Sequence, residues 1–429
     1  MQDVRQLPFA GNCLYLLHGM SEGTPERTMR RRYSRCVWHA IYNRARKTGR
    51  TDTLLEVLPP LDWSRTGGET WAEVISQIGK VGIGRFFGSL FSRDREYRNQ
   101  VWDSVFMTIR QPAWWNGDRE YHPAAYTEPA SELERSLREG RFVVATEITP
   151  PLSSDTGKLR DDIEKVKPHV QAINFTDASS AIPRMSALAC CKVAADLNAE
   201  PVFQISARDS TRLSLQGDAV GAGQFGIRNI LCISGDSPLI GNPPISDMNM
   251  YDLDAVQMLW ILRRMRDEGI YLDGRKMKHP PRYFLGAATT PGALDPELQA
   301  IRDQKKVNAG AQFFQTNIIF DAEQLDPWLE QLDKRNVLGK VSILAGLAPL
   351  KSYNTALYLH EKVPGVYLPG KILSRMEKAG DGAREEGIAI VLELIASLRR
   401  KKGISGIHLM TLGGEDIIGR IVREAGLDR

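Results

Sequence analysis

The chain is short of several things, and each shortage excludes a class of protein. No apolar stretch approaches the roughly 18 residues of a membrane-spanning helix, so no membrane segment is expected. Net charge is only +4 over 429 residues, and basic side chains are interleaved with acidic ones along most of the C-terminal two thirds. That pattern makes no case for nucleic acid. The five cysteines, at 13, 36, 190, 191 and 232, show no C-x-x-C spacing. Reduced thiols in a cytoplasmic protein are expected, not disulfides or a metal site. No histidine pair has metal-ligand spacing, so no metal is expected. No Ser–His–Asp arrangement stands out, and no G-x-G-x-x-G follows a strand, which leaves a Rossmann dinucleotide site unsupported. The N-terminal segment lacks an apolar core flanked by a small-residue cleavage site, and no signal peptide is read there.

What is present is a rhythm. Eight apolar strand signals alternate with helical periods: FVVATEITP (142–150), QAINFTD (171–177), EPVFQISARD (200–209), RNILCISGD (228–236), RYFLGAATT (282–290), FFQTNIIFD (313–321), VSILAGLAPL (341–350) and GIHLMTL (406–412). Eight βα units over roughly 280 residues predict an α/β fold, a (β/α)8 TIM barrel. Barrels of this kind place their chemistry at the C-terminal ends of the strands, where Glu147, Thr176, Asp236 and Asn317 fall.

Three regions are expected. Residues 1–112 lack the βα rhythm, are basic, carry Trp38, Trp63, Trp71 and Trp102, and read as a small, mainly helical N-terminal domain. Within it RTMRRRYSR (27–35) is either a solvated face or an anion or partner contact. Residues 113–130, rich in proline and aromatics, read as a connector that packs. Residues 131–429 form the barrel, opened by a short helix with Ser131 and Glu134 in capping-box positions that stops at Gly140.

Within the barrel, an acid in an apolar strand is costly to bury charged, so Glu147 needs partners or a proton. It is either a general acid or one half of a structural pair. Ser234-Gly235-Asp236 closes the fourth strand in a turn that lets backbone approach a flat or phosphorylated ligand, although Gly-Asp turns also close many strands that bind nothing. Gly286, Ala287 and Ala288 either leave room for something flat or fill a tight layer. Lys306 could reach a phosphate at the rim or simply be exposed, and Thr316-Asn317 could bond a heterocycle or the core.

Taken together, TEITPP (146–151), NFTD (174–177), ISGDSP (233–238), MYDLDAV (250–256), GAAT (286–289), KVNAGAQFFQTNIIFD (306–321), GLAPL (346–350) and HLMTLGGED (408–416) resemble methylenetetrahydrofolate reductases over residues 131–429. The resemblance implies a barrel that binds FAD at the strand C-termini and, in one-carbon metabolism, reduces 5,10-methylenetetrahydrofolate to 5-methyltetrahydrofolate. It further implies Glu147 as general acid, opening the methylene bridge by protonating the departing amine. Asp236 would be the second catalytic residue, tuning flavin and orienting folate. Thr176, Gln204, Ser234, Gly235, Asp236, Tyr251, Ala287 and Lys306 would hold the cofactor; Glu147, Asp236 and Asn317 would hold folate, Asn317 standing where the best-known members have glutamine.

Some positions depart from the family pattern. Ser234 replaces a basic residue, Gln204 a histidine, and Leu359 stands near an aromatic on which NADH stacks. The electron donor is therefore left open between NAD(P)H and a redox partner protein, and oligomeric state is open too. A second resemblance covers residues 36–64, which look like part of a small cysteine domain found in some of these reductases or beside them. Only Cys36, with Cys13, remains, so the metal or cluster of that domain is not expected here. An alternative to the reductase is a flavin-free folate-binding or methyl-transfer component of a one-carbon complex.

Overall fold

The computed structural model describes Arg46 and residues 120–236, 252–292, 295–363, 366–411 and 414–428. The expected N-terminal domain (Arg46 apart) and Tyr251 lie outside these residues.

Eight strands close into one barrel in chain order: β1 (Val143–Ile148), β2 (Ala172–Phe175), β3 (Pro201–Ser206), β4 (Asn229–Ile233), β5 (Phe284–Thr289), β6 (Phe313–Ile318), β7 (Ser342–Leu347) and β8 (Ile404–Leu409). Every neighbouring pair is parallel, including β1 with β8. Helix α1 (Glu132–Arg138) precedes β1. Outside the sheet, α2 (Gly157–Val166), α3 (Ala187–Asp196), α4 (Arg212–Gln224), α5 (Ala255–Asp267), α6 (Pro296–Ala309) and α7 (Asp326–Lys334) follow β1 to β6 in turn. Then α8 (Tyr353–Lys362), α9 (Gly370–Ala379) and α10 (Ala383–Leu398) follow β7, and α11 (Ile418–Glu424) follows β8.

Strands buried on both faces read as continuous apolar runs, which is why the barrel was visible in the sequence. Short polar side chains start the helices: Thr211 and Asp254 each form a reciprocal capping box, and Asp295 caps α6 ahead of Pro296. Two local expectations are corrected. The last strand begins at Ile404, two residues before the segment read for it, because the left-handed Gly403 ends the preceding turn and Ile404 pairs with Ile343. At α1 only half of the capping box forms. Ser131 Oγ accepts from Glu134 N at 3.0 Å, but the Glu134 carboxylate accepts from Ala130 N at 2.6 Å.

The apolar core has two layers. One lies between sheet and helices; the other fills the inside of the barrel at its N-terminal end, where Leu133 and Leu137 of α1 pack with Val143, Ala145, Phe313 and Leu344. Helix α1 is therefore a stopper. It is tied down by buried polar groups: Glu134 is fully buried and pairs with Arg138 at 2.6 Å, and Tyr126 Oη lies 3.2 Å from Glu134 and 3.0 Å from the Tyr283 carbonyl. Burial pushes the Tyr126 phenol up to about 12. The Glu200 carboxylate accepts from the first-turn amides of α1 at Glu132 and Leu133, and from Asn229 Nδ2 at 2.7 Å. Among the described residues no helix is long and apolar enough to cross a membrane.

Candidate active site

Alternate residues of each strand point into the barrel. From the α1 end upward, the interior is first apolar and then turns polar. The Phe284 and Phe313 rings stack with centroids 4.8 Å apart, and a Cβ on Gly286 would sit 2.3 Å from Phe313 Cζ. Gly286 thus gives its space to Phe313, the tight-layer alternative. Above this layer Asn174 and Gln315 exchange amide hydrogen bonds across the barrel, Nδ2 to Oε1 at 2.6 Å and Nε2 to Oδ1 at 3.1 Å. Gln204 and His408 are buried on β3 and β8.

Glu147 stands one step nearer the mouth on β1, with its side chain one fifth exposed. Its Oε2 lies 3.4 Å from His408 Nε2. A strand-end acid meets a ring nitrogen there, and each constrains the rotamer of the other. Three polar atoms in this upper half, Thr176 Oγ1, Ser206 Oγ and His408 Nδ1, are buried without a hydrogen-bond partner among the described residues. Buried polar atoms are normally satisfied, and while others without a bond lie elsewhere among the described residues, these three share the upper interior with Glu147, where a ligand would complete their bonding.

The loops after β2, β3 and β4 are cross-connected. Asp177 Oδ2 accepts from Ser206 N at 2.8 Å, and Asp236 Oδ2 from Ser180 N at 2.6 Å. Burial is the main cause that raises Asp177 to about 6, against the lowering effect of the Ser206 amide. Arg208 is buried between these loops and donates to the carbonyls of Ala178 and Asp236. Gly235 has φ +78°, and a Cβ there would lie 2.0 Å from Ser206 Oγ. Only glycine lets this turn close so tightly over β3. Ser234 and Gly235 are half-buried and Asp236 is exposed.

Other expected positions fall differently. Asn317 is half-buried on β6, where the pairing with β7 slips between Gln315 and Ile318. Its Oδ1 accepts from Ile318 N at 2.8 Å, a bulge at the mouth of the barrel. Ala287 is fully buried in the layer between sheet and helices, and the alanine exposed at the mouth is Ala288. Parity along the strand makes the difference of one residue decisive. The Lys306 ammonium is largely buried, 3.0 Å from Asp303 Oδ1 and 2.7 Å from the Ala288 carbonyl. Asp303 has no exposed surface, so it needs that charge, along with the donors of Thr289, Gln299 and Trp328. Leu359 is buried on α8 and presents no stacking platform.

Sequence reading missed His408, Asn174, Gln315, Ser206 and Arg208 as members of this region. A signal existed for the first three, each a polar residue at interior parity in an apolar strand, at the same phase as Glu147 on its own strand. Among the described residues, no group of three or more His, Cys, Asp or Glu side chains could hold a metal. For a flat heterocycle the fit is good: unsatisfied hydroxyls at Thr176 and Ser206, a glycine turn at Gly235 and a methyl-sized side chain at Ala288.

A closed parallel (β/α)8 barrel with a carboxylate and unsatisfied polar groups at its C-terminal mouth has the layout of a barrel with a ligand site. The family model for methylenetetrahydrofolate reductase matches residues 132–426, and the chain belongs to that family. The 5,10-methylenetetrahydrofolate reductase of Pectobacterium carotovorum subsp. carotovorum is 24% identical over 306 residues, covering 69% of this chain and 94% of that one. Methylenetetrahydrofolate reductase 1 of Schizosaccharomyces pombe is 23% identical over 213 residues, which are 48% of this chain but 32% of that longer protein. A solved structure from Clostridium thermocellum, of a protein that binds two copies of 5-methyl-5,6,7,8-tetrahydrofolic acid, is similar at a TM-score of 0.49 with 16% identity, over 70% of this chain and 98% of that one.

Proposed function

We propose that this chain reduces 5,10-methylenetetrahydrofolate to 5-methyltetrahydrofolate with FAD as its cofactor, with Glu147 as the general acid. The observation that carries the reading is the Glu147–His408 contact at 3.4 Å, set in the polar upper half of a barrel from this family. Opening the methylene bridge breaks a C–N bond, and the departing amine needs a proton as it leaves. Glu147 delivers that proton, and His408 holds the carboxyl toward the interior. The Asn174–Gln315 amides form a polar floor for a heterocycle entering from above, and Asn317 meets its edge beside the β6 bulge. Asp236, held by the Ser180 amide, presents its carboxylate to the folate. Thr176, Ser206, Gln204 and the Ser234–Gly235 turn line the side on which FAD would lie. When bound, FAD would supply a two-electron hydride to the folate carbon.

The electron donor is NAD(P)H or a redox partner protein; Leu359 itself is buried, while the neighbouring Tyr358 on the same helix is exposed. One observation favours the alternative of a flavin-free folate-binding or methyl-transfer component: Lys306, expected on the cofactor phosphates, is engaged inside the wall.

The test is the visible spectrum of the purified protein after incubation with FAD and desalting. A retained flavin band that bleaches with NADH, NADPH or a reduced flavoprotein and recovers with methylenetetrahydrofolate supports the reductase and identifies the donor. A colourless protein that still binds folate sinks it in favour of the alternative.

A further inference from the structure

We propose that Arg208 is a positioning residue: it locks the loops after β2 and β3 together with residues 234–236 after β4 and so aims Asp236 at the ligand in the mouth. The aiming rests on the folate reading given above; the locking does not.

The Arg208 side chain is 2% exposed, although it follows the end of β3 in a loop. A buried charge persists only where it is paired and hydrogen-bonded. Here Nε lies 2.9 and 3.0 Å from the two carboxylate oxygens of Asp209, which neutralises the charge within its own loop. One terminal nitrogen also bonds the Asp209 carboxylate, and both terminal nitrogens reach the neighbouring loops. One terminal nitrogen donates to the Asp236 carbonyl at 3.0 Å, in the loop after β4, and the other to the Ala178 carbonyl at 3.1 Å, in the loop after β2. A guanidinium has five donors in a fixed plane and serves three loops at once; an ammonium at the end of a flexible stem does not reproduce that geometry.

The loops also hold one another. Ser180 N donates to Asp236 Oδ2, and Ser206 N to Asp177 Oδ2, which closes a circuit through Arg208. The loop after β2 has a backbone that needs such holding. Ala178, Ser180 and Ala181 have φ of 44°, 58° and 55°, the left-handed region that residues with a Cβ avoid. Conformations of that kind persist when the surroundings over-determine them, and they gather at ligand sites. Gly235 fits the same arrangement, since a Cβ there would come within 3.0 Å of Arg208 Cβ. An ordinary ion pair with Asp209 would need none of these contacts with neighbouring loops.

Arg208→Ala and Arg208→Lys in the full chain test both halves. Amide hydrogen exchange in peptides covering 178–181 and 234–236 should speed up at least tenfold in both variants, with β6, β7 and β8 unchanged. Affinity for 5-methyltetrahydrofolate, by titration calorimetry, should fall at least tenfold. Millimolar guanidinium should restore most of that affinity to Arg208→Ala, a rescue that general destabilisation would not allow. If Arg208→Ala does not fold, Arg208→Lys carries the test. Unchanged loop exchange in Arg208→Lys, or faster exchange spread evenly over the barrel, overturns the locking. Loosened loops with unchanged folate affinity overturn the aiming. A wild-type chain that binds no folate defeats the folate reading and the aiming with it, while the exchange result still decides the locking.

Discussion

The two ends of the barrel solve opposite problems with similar residues. At the N-terminal end, Glu134 is buried and meets a donor on every side: Ala130 N, Arg138, Tyr126 and Gln312. At the C-terminal end, Glu147 keeps one fifth of its side chain exposed and, among the described residues, has a single 3.4 Å contact with His408, beside hydroxyls with no partner there. The first carboxylate is saturated by the protein and makes the stopper fast. Among the described residues the second is left with that one contact. The lower carboxylate is built into packing, and the upper one stands at the strand C-termini, where barrels of this kind place their function.

The sharpest way to test that contrast is to neutralise each carboxylate. Glu147→Gln should lower methylenetetrahydrofolate reduction by about 10²–10⁴-fold, the range for losing a general acid. It should leave the melting temperature and flavin reduction by donor nearly unchanged. Steady-state rates beside single-turnover flavin reduction separate the two steps, and an activity drop under tenfold would remove Glu147 from the chemistry. Glu134→Ala should do the reverse. Stripping a buried carboxylate from a charged partner costs roughly 3 kcal/mol, about 5 °C in Tm for a barrel of about 300 residues, measured by calorimetry. Activity per folded molecule should persist.

Much of this contrast was legible in the sequence, and the illegible part has physical causes. The strands were legible because burial on both faces writes uninterrupted apolar runs, and Glu147 because an acid inside one is conspicuous. His408 was obscured by lying in GIHLM, where one polar residue near a chain end carries little weight until register sets it beside Glu147. Arg208 was invisible, since a charged residue in an Ala-Arg-Asp turn resembles any solvated loop. Which of Ala287 and Ala288 faces the mouth was not legible, because a run of small residues has no amphipathic phase. That Lys305 and Lys306 are both buried was not legible either, since two adjacent lysines near a helix end look solvated.

A smaller effect should appear in the pH dependence of stability. Asp177 is raised from its ordinary value to about 6 by burial, so the folded state holds this proton more tightly than the unfolded chain does. Its contribution is fully present below about pH 4 and is lost as pH rises to about 6, at most about 3 kcal/mol at roughly 1.4 kcal/mol per unit, and less for the part of the side chain that water reaches. Asp177→Asn still accepts from Ser206 N and should flatten this slope, making the variant more stable than wild type at pH 7 and equal to it near pH 4. Urea titrations from pH 4 to 7.5 measure the difference; parallel curves would mean that the Asp177 proton is not held by the fold.

The finest test lies where the two regimes meet, at the Asn174–Gln315 pair between the apolar layer and the mouth. Asn174→Leu or Gln315→Met alone leaves a buried amide without its partner and should cost about 1–3 kcal/mol in urea unfolding. The double variant removes both polar groups and lets apolar surface meet apolar surface, so stability should return to within about 1 kcal/mol of wild type. If the pair belongs to the stopper's regime, the double variant is also fully functional. If it is the floor of the ligand site, stability recovers while folate affinity stays at least tenfold weaker, because the heterocycle now rests on hydrocarbon. Additive costs in the double variant would show instead that the two amides are not coupled, and the polar region would begin above them at Glu147.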